Sequence, residues 1–294
     1  MNILDHLDKL KIFSLVAQRG SINGAAQELA LTQPAITRAI QTLEKAAGYP
    51  LFIRTRSGMH LTPGGNILFA ASARALKDMA DATSQGAHAQ EEMAGQLTIG
   101  TFESLAEYLW PEFLVKAQKQ FPRLSLSLKT NSREGHRQEL ANGTLDLLVD
   151  AEPRAHTGLT AWPLYADRFG FYARQTIELS PENARELSLI YVKGVFDEKN
   201  TSLEQYLARE GYQFEREYTF DSFTTVKRTA EKGLGVAILP RRLAEKEGSL
   251  KMVKAKGFAK DGFGAHGIYA TVSNFREKDI RVKSLISLLR KHLT

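Results

Sequence analysis

Cysteine is absent from the 294-residue chain. That absence removes disulfides, thiolate nucleophiles and cysteine-based metal sites, and it fits a reducing, cytoplasmic setting. No apolar run approaches the roughly 20 residues that cross a bilayer. Nothing near the start has the order of a signal peptide, so no membrane partner is expected. Metal-ligand spacings are missing as well. The seven histidines, at 6, 60, 88, 136, 156, 266 and 292, are scattered, with no H-E-x-x-H pair and no carboxylate triplet beside them. There is no G-x-S-x-G elbow and no phosphate-binding P-loop. "GLGVAILP" (233–240) lacks a third glycine and runs into a strand, so it reads as packing. No catalytic residue, no metal site and no cofactor are therefore assigned. His6, His60 and His292 read as surface residues, and His136 and His266 as histidines without a defined role.

What is present is ordinary in bulk and uneven in detail. Apolar residues make up 43% and charged residues 24%, in a chain long enough for two or three domains. The formal charge is +6. Residues 1–62 hold seven Lys/Arg against four Asp/Glu, so half of that excess sits in about a fifth of the chain. A polyanionic partner is compatible with this balance, although many enzymes are equally basic.

Three regions differ in pattern. In residues 1–62, Leu7, Leu10, Phe13 and Val16 recur at helical spacing and Gly20 ends that helix. Ser21 is an N-cap for a short second helix through Leu29, and Ala30 and Leu31 make a tight connection. Thr32 caps a third helix, with Pro34 in the first turn and Gly48 just past the end. "LFIRTRSGMHLT" (51–62) then alternates around a Ser57-Gly58 turn and reads as a two-stranded wing. Residues 63–93 form an Ala-rich linker helix with Leu68, Ala71, Ala75 (or Leu76), Met79 and Ala82 along one seam. So thin an apolar face calls for a second copy of the chain, the alternative being a solvated tether. From residue 94 the pattern is strand, helix, strand, given by "QLTIG", "LSLSLKT" and "LDLLVD" with helices between them. A second set follows: "DRFGFYAR", "LSLIYVKG", a helix from Ser202, "EYTF", a helix from Ser222 and "GVAILP". "GIYATVS" and a helix from Arg276 to about His292 close the chain. Parallel α/β sheets of this kind predict two lobes, about 94–163 plus 268–294 and 164–267, with a cleft at the carboxyl ends of their strands.

The third helix carries the most specific signal. On a helical wheel centred on Ile36, Ile40 and Leu43 fall within about 40° and form a core stripe. Pro34, Thr37, Arg38, Gln41, Thr42 and Lys45 fill the arc from about 100° to 240°, and Glu44, the only acid, lies at about 80°. A solvated helix face ordinarily mixes both signs. An acid-free face of amide, hydroxyl and cationic groups suits a groove flanked by phosphates, and Arg, Gln and Thr suit base edges. Two helices joined by a tight turn, with the second exposed, form a helix-turn-helix. Arg54 and Arg56 on the wing would reach the neighbouring backbone or minor groove. Ser21 and Thr32, at the starts of the two helices, complete the candidate DNA-binding set. A helical bundle with a chance bias of polar residues is the plain alternative.

Phe13, Ser21, Ala25, Ala26, Leu29, "TQPAITRAIQTLE", Gly48, "PLFIR" and "LTPGG", at their spacings, resemble the winged helix-turn-helix of LysR-type transcriptional regulators over residues 7–68. The rest of the chain follows the family plan more loosely. The fold implied is an all-α winged helix-turn-helix (1–62), a linker dimerisation helix (63–93) and a two-lobed α/β domain similar to periplasmic binding proteins (94–294). The resemblance also implies promoter DNA as partner, a homodimer or homotetramer, and a small-molecule effector of unidentified structure. A contact with RNA polymerase is left open. In such proteins the residues matching Gln33, Pro34, Thr37 and Arg38 meet DNA. Thr37 stands where the family most often has Ser, which keeps the hydroxyl.

Effectors of the family bind between the lobes, at strand ends and helix N-termini. By position that implies Thr101, Phe102 and Ser104 after the first strand, Thr130 and Ser132 after the second, and Asp150 at the end of the third. Phe196 and Thr224 would come from the second lobe, with Thr101 the leading polar contact and Phe196 an apolar wall. For Ser104, Ser132 and Thr224 the competing reading is a helix cap. Glu103, Glu107 and Asp150 put carboxylates near the mouth. They suit a neutral or cationic effector group unless they form only a solvated rim. Two other functions compete with a regulator: an architectural DNA-binding protein with no working effector site, and an α/β enzyme.

Overall fold

The computed structural model describes residues 3–86, 93–151, 158–194, 203–246 and 248–293. Phe196, His88 and His156 lie outside them, as does the side chain of His266. The chain divides into two compact units, Met1–Gln96 with Arg133–Asp146, and Leu97–Ser132 with Leu147–Thr294.

In the first unit a 3-10 turn (Ile3–His6) leads into α1 (Leu7–Arg19), α2 (Ile22–Glu28) and α3 (Gln33–Ala47). Local chemistry sets each boundary. Gly20 leaves α1 with φ 59°, and the Gly24 N–H donates to Ser21 Oγ at 3.3 Å to cap α2. The Ala35 N–H donates to Thr32 Oγ1 at 3.4 Å to cap α3, and Gly48 closes α3 with φ 81°. Ala30 turns the corner between α2 and α3 with φ 52°, a left-handed conformation unusual for a residue with a Cβ. Phe13 is the hub of the core. Its ring lies 5.4 Å from that of Phe52 and 6.4 Å from that of Phe69, both edge-on, with Ile36, Ile40 and Leu43 packed around it.

The wing is β1 (Phe52–Thr55) paired antiparallel with β2 (Gly58–Leu61). Thr55 faces Gly58 across the ladder, so Arg56 and Ser57 form the tip, one residue earlier than the expected Ser57-Gly58 turn. The register is set from outside the hairpin: the Met59 N–H donates to Gly20 O at 2.8 Å. Gly58 permits that approach, since a Cβ there would stand 2.5 Å from the same Gly20 oxygen.

The linker is α4 (Pro63–Gly86). Phe69, Ser72 and Ala73 are buried, and the Ser72 and Ser14 hydroxyls are 3.3 Å apart. The expected seam is on the open side, with Ala71, Ala75, Met79 and Ala82 exposed and Leu68 half-buried. Ile67, at 73% exposure, extends it.

In chain order come β3 (Gly95–Thr101), α5 (Glu103–Tyr108), α6 (Trp110–Gln120), β4 (Leu124–Thr130), α7 (Arg133–Ala141), β5 (Leu147–Asp150) and β6 (Leu159–Ala173). Then follow β7 (Glu178–Leu179), α8 (Pro181–Ala184), β8 (Ser188–Val192), α9 (Leu203–Arg209), β9 (Arg216–Phe220), α10 (Phe223–Glu231) and β10 (Val236–Pro240). The chain continues with α11 (Arg241–Glu245), β11 (Lys251–Met252), β12 (Lys254–Ala255), β13 (Phe263–Ser273) and α12 (Ile280–Leu293). The large sheet has the order β4-β3-β5-β13-β6-β10-β8-β9, with β11 added beside β6. β6 begins eight residues before the expected "DRFGFYAR" segment and pairs antiparallel with β13 from Leu159↔Ser273 to Phe169↔Phe263. These two strands hold the halves of the sheet together. One half is β4-β3-β5, with β3 parallel to β5, and the other is β10-β8-β9, parallel throughout. β7 and β12 pair apart from the large sheet. The last helix begins at Ile280 instead of Arg276. Residues 276–279 are a turn, and the Asp279 carboxylate takes the free Arg281 N–H at 2.9 Å. Among the described residues no helix is long and apolar enough to cross a membrane.

Candidate functional site

α3 separates its two kinds of side chain cleanly. Ile36, Ala39, Ile40 and Leu43 are buried, while Gln33, Pro34, Arg38, Gln41 and Lys45 are exposed and Thr37 is half-exposed. Thr42 is not available in the same way, because its hydroxyl donates to Arg38 O at 2.8 Å. Glu44 is engaged too: its Oε1 accepts the N–H groups of Leu51 at 2.8 Å and Phe52 at 3.3 Å. The only acid of α3 therefore holds the start of the wing. Arg54 lies on β1 and Arg56 at the tip, both exposed. The tip itself is ordered by side chains. Thr55 Oγ1 is 2.8 Å from Ser57 Oγ, which is 2.9 Å from His60 Nε2. Arg38, Arg54 and Arg56 form no ion pair with any described residue. Ser21 and Thr32 point their hydroxyl oxygens at their own helix N–H groups, which accounts for both as caps.

The described residues expected at the effector site all belong to the second unit. Thr101 ends β3 one step from Asp150 at the end of β5, since Thr101 pairs with Val149. Thr101 is fully buried and its Oγ1 accepts the Trp110 indole N–H at 2.9 Å. Asp150 is buried as well. Phe102 and Ser104 are half-exposed, and Thr130 and Ser132 are exposed. Phe102, and not Ser104, occupies the cap position of α5, with no side-chain cap bond. Thr224 is no cap either, because Ser222 accepts the Thr225 N–H at 3.4 Å. Instead Thr224 donates its hydroxyl to Glu107 Oε2 at 2.5 Å, and Arg228 reaches Glu107 Oε1 at 3.3 Å. Glu107 is thus a tie from α5 to α10 and no part of a free acidic rim. Lys246 adds a second tie, donating to Tyr108 O at 2.6 Å and standing 3.1 Å from Glu112. Where β6 passes from one half of the sheet to the other, buried Asp167 accepts the N–H groups of Arg168 at 2.8 Å and Arg242 at 3.2 Å. Burial raises its pKa despite those bonds and the nearby Arg242 charge, and that guanidinium lies 3.9 Å above the Tyr165 ring.

Residues 7–66 match the bacterial regulatory helix-turn-helix model of the LysR family, and residues 90–294 match the LysR substrate binding domain. The chain belongs to the LysR family of transcriptional regulators. Its fold and its function follow: a LysR-type DNA-binding regulator with an effector-binding substrate domain, and not an α/β enzyme. The HTH-type transcriptional regulator CzcR of Bacillus subtilis (strain 168) is 28% identical over 235 residues, 80% of each chain. Two solved LysR structures share the fold. A full-length OxyR variant of Pseudomonas aeruginosa has TM-score 0.66 at 19% identity, covering 98% of this chain and 97% of that one. Full-length CbnR complexed with its target DNA has TM-score 0.62 at 19% identity, covering 97% and 99%. Among the described residues no group of three His, Asp or Glu could hold a metal ion.

The histidines divide differently from the expectation. His60 is part of the wing tip. His292, expected at the surface, is half-buried with its ring 5.8 Å from Phe113, and burial lowers its pKa. His136 is fully buried with Nδ1 3.3 Å from Glu139 Oε2, a packing role. The roles of Glu44 and Glu107 were beyond sequence reasoning, because each acts on a partner set by the fold.

Proposed function

We propose that α3 enters the major groove of promoter DNA, with Gln33, Pro34, Thr37, Arg38 and Gln41 toward the bases, while Arg54 and Arg56 hold the flanking backbone or minor groove. Ser21 and Thr32 present capped helix starts to the phosphates. The observation that carries this reading is the trio of exposed guanidinium groups without an ion pair among the described residues, on a surface from which the only acid of α3 has been withdrawn. A cation left without an ion pair on a rigid scaffold is placed for a polyanion. CbnR, with the same fold, was solved with its target DNA, which supports the same use here.

The exposed apolar line of Ile67, Ala71, Ala75 and Met79 on α4 serves a second copy, giving a homodimer that pairs into a homotetramer. A small-molecule effector meets Phe102, Ser104, Thr130 and Ser132, with Thr101 and Asp150 forming the buried floor and Phe196 an apolar wall. Thr224 acts through its tie to Glu107. The protein works in the cytoplasm, where contact with RNA polymerase follows promoter binding.

Retention of a promoter fragment by the Arg38→Ala variant tests the interface. Specific binding should be lost while the oligomer stays folded, and binding as tight as the parent's would overturn the assignment. Thermal-shift screening of metabolites tests the effector site, since a ligand of the native state raises its stability. A uniformly flat screen would favour the architectural alternative.

A further inference from the structure

The chain passes between the two halves of the large sheet along β6 and returns along β13. Two helices meet where those halves face each other. α5 leaves the carboxyl end of β3, α10 leaves the carboxyl end of β9, and the two pack together. Glu107, one turn into α5, commits both carboxylate oxygens to α10. Its Oε2 accepts the Thr224 hydroxyl at 2.5 Å, and its Oε1 accepts the Arg228 guanidinium at 3.3 Å. Thr224 and Arg228 are four residues apart and so share one face of α10. α10 has no acid in its own first turn, and Glu107 supplies negative charge to that end from the other half.

The members of this contact are unequal. The Arg228 and Glu107 side chains are 72% and 43% exposed, and an ion pair so solvated holds weakly. Thr224 is buried, and a hydroxyl given to a carboxylate is among the stronger hydrogen bonds. The hold therefore lies mainly with Thr224. Lys246 adds a second tie, from its Nζ to Tyr108 O, and its own carbonyl accepts Lys227 Nζ of α10 at 2.9 Å. Thr224 has one hydroxyl hydrogen, so while it donates to Glu107 it cannot donate to a ligand. A ligand group that takes this hydroxyl must displace the Glu107 carboxylate.

We infer that Glu107 is an autoinhibitory latch: its carboxylate holds α10 against α5 across the cleft, and an effector that reaches Thr224 opens it. The latch has this role only if the cleft takes the effector that governs promoter binding, as proposed above. Effector and latch then compete for one state of the cleft, and each shifts the population that the other favours.

The cysteine-free chain accepts spin labels at chosen positions. Labels on Lys119→Cys of α6 and Lys232→Cys at the end of α10, both exposed, report the separation of the halves by pulsed electron double resonance. The labelled full chain is diluted with unlabelled chain, so that distances within one chain are read. Glu107→Ala and Thr224→Val should each move the distribution to longer distances or add a longer population. Glu112→Ala removes the exposed ion pair to Lys246, leaves its bond to Tyr108 O, and should move nothing. Without any added ligand, Glu107→Ala should change the affinity for a promoter fragment by about fivefold or more. Unchanged distances in both latch variants overturn the latch. An equal shift in Glu112→Ala does so too, since it means general loosening. Shifted distances with the parent's promoter affinity overturn the autoinhibitory role. Should Glu107→Ala fail to fold, Thr224→Val, which keeps the side-chain shape, decides both readouts. A parent that retains no promoter fragment fails the DNA reading instead, and the distances still decide the latch.

Discussion

Lys77 Nζ stands 2.6 Å from Asp146 Oδ2, joining the middle of α4 to the turn between α7 and β5. The carboxylate is completely buried and the lysine nearly so, at 0% and 18% side-chain exposure. Beside it the stem of Arg74 covers Gly143, where a Cβ would come 2.4 Å from the arginine Cγ. Removing Lys77 takes from this buried carboxylate the ammonium that faces it at 2.6 Å. Lys77→Met should therefore destabilise by about 3–5 kcal/mol, and Lys77→Met with Asp146→Leu should recover most of the loss. Denaturant unfolding of the single and double variants checks both. A double variant as unstable as the single one would show that the pair is not the source.

Glu44 works at the opposite end of the same unit, and its substitution separates folding from recognition. Glu44→Ala strands the Leu51 and Phe52 N–H groups, a cost of about 1–3 kcal/mol. Glu44→Gln keeps an acceptor and should cost less than half as much. Thermal melts rank the two. Equal losses would mean that the charge, not the acceptor, holds the wing.

Ala30 carries backbone strain that glycine would relieve. Ala30→Gly should leave stability unchanged or raise it by up to about 1 kcal/mol, since a left-handed residue with a Cβ costs about 1–2 kcal/mol while glycine gives part of that back as unfolded-state entropy. A drop of more than 1 kcal/mol on urea unfolding would refute the strain argument.

Asp279 supplies a pH signature. Burial alone would raise its pKa, but hydrogen bonds from Arg281 and the charges of Arg281 and Arg276 outweigh burial and hold it below the ordinary carboxylate value. A depressed carboxyl contributes stability that is fully present above about pH 4, its unfolded range, and lost as pH falls through the lower folded value. Asp279→Asn should therefore be less stable than the parent at pH 7, and the gap should close in acid. A gap that stays constant down to pH 2 would contradict the assignment.

The proposed DNA contacts predict a salt law. Each phosphate neutralised removes about 0.9 from the slope of log affinity against log salt, so Arg56→Ala should flatten the slope by about 0.9 with little change in sequence preference. Fluorescence anisotropy at several salt concentrations measures it. A slope equal to the parent's would take the wing tip off the duplex.

Local chemistry was legible in the sequence wherever one segment decides its own structure. Thr32, Pro34 and Gly48 bound α3 because caps act within a turn, and the strand segments showed as short apolar runs. Relations between distant segments were not legible. The wing tip falls at Arg56–Ser57 because Met59 is tied to Gly20, and no local pattern encodes that bond. Thr224 reads by position as an effector contact or a helix cap, yet its hydroxyl is taken by Glu107, 117 residues away. The seam of α4 was read from spacing alone, and the fold leaves it exposed.

The bonds from Gly20 and Glu44 to the wing mean that α3 and both wing arginines are fixed to one small core. A surface already assembled has little conformational freedom left to lose when it docks. Its exposed side chains can then be exchanged almost one at a time, because none of Gln33, Arg38, Gln41, Arg54 or Arg56 helps to hold that core. The operator sequence such a protein prefers can drift over generations while its architecture stays put.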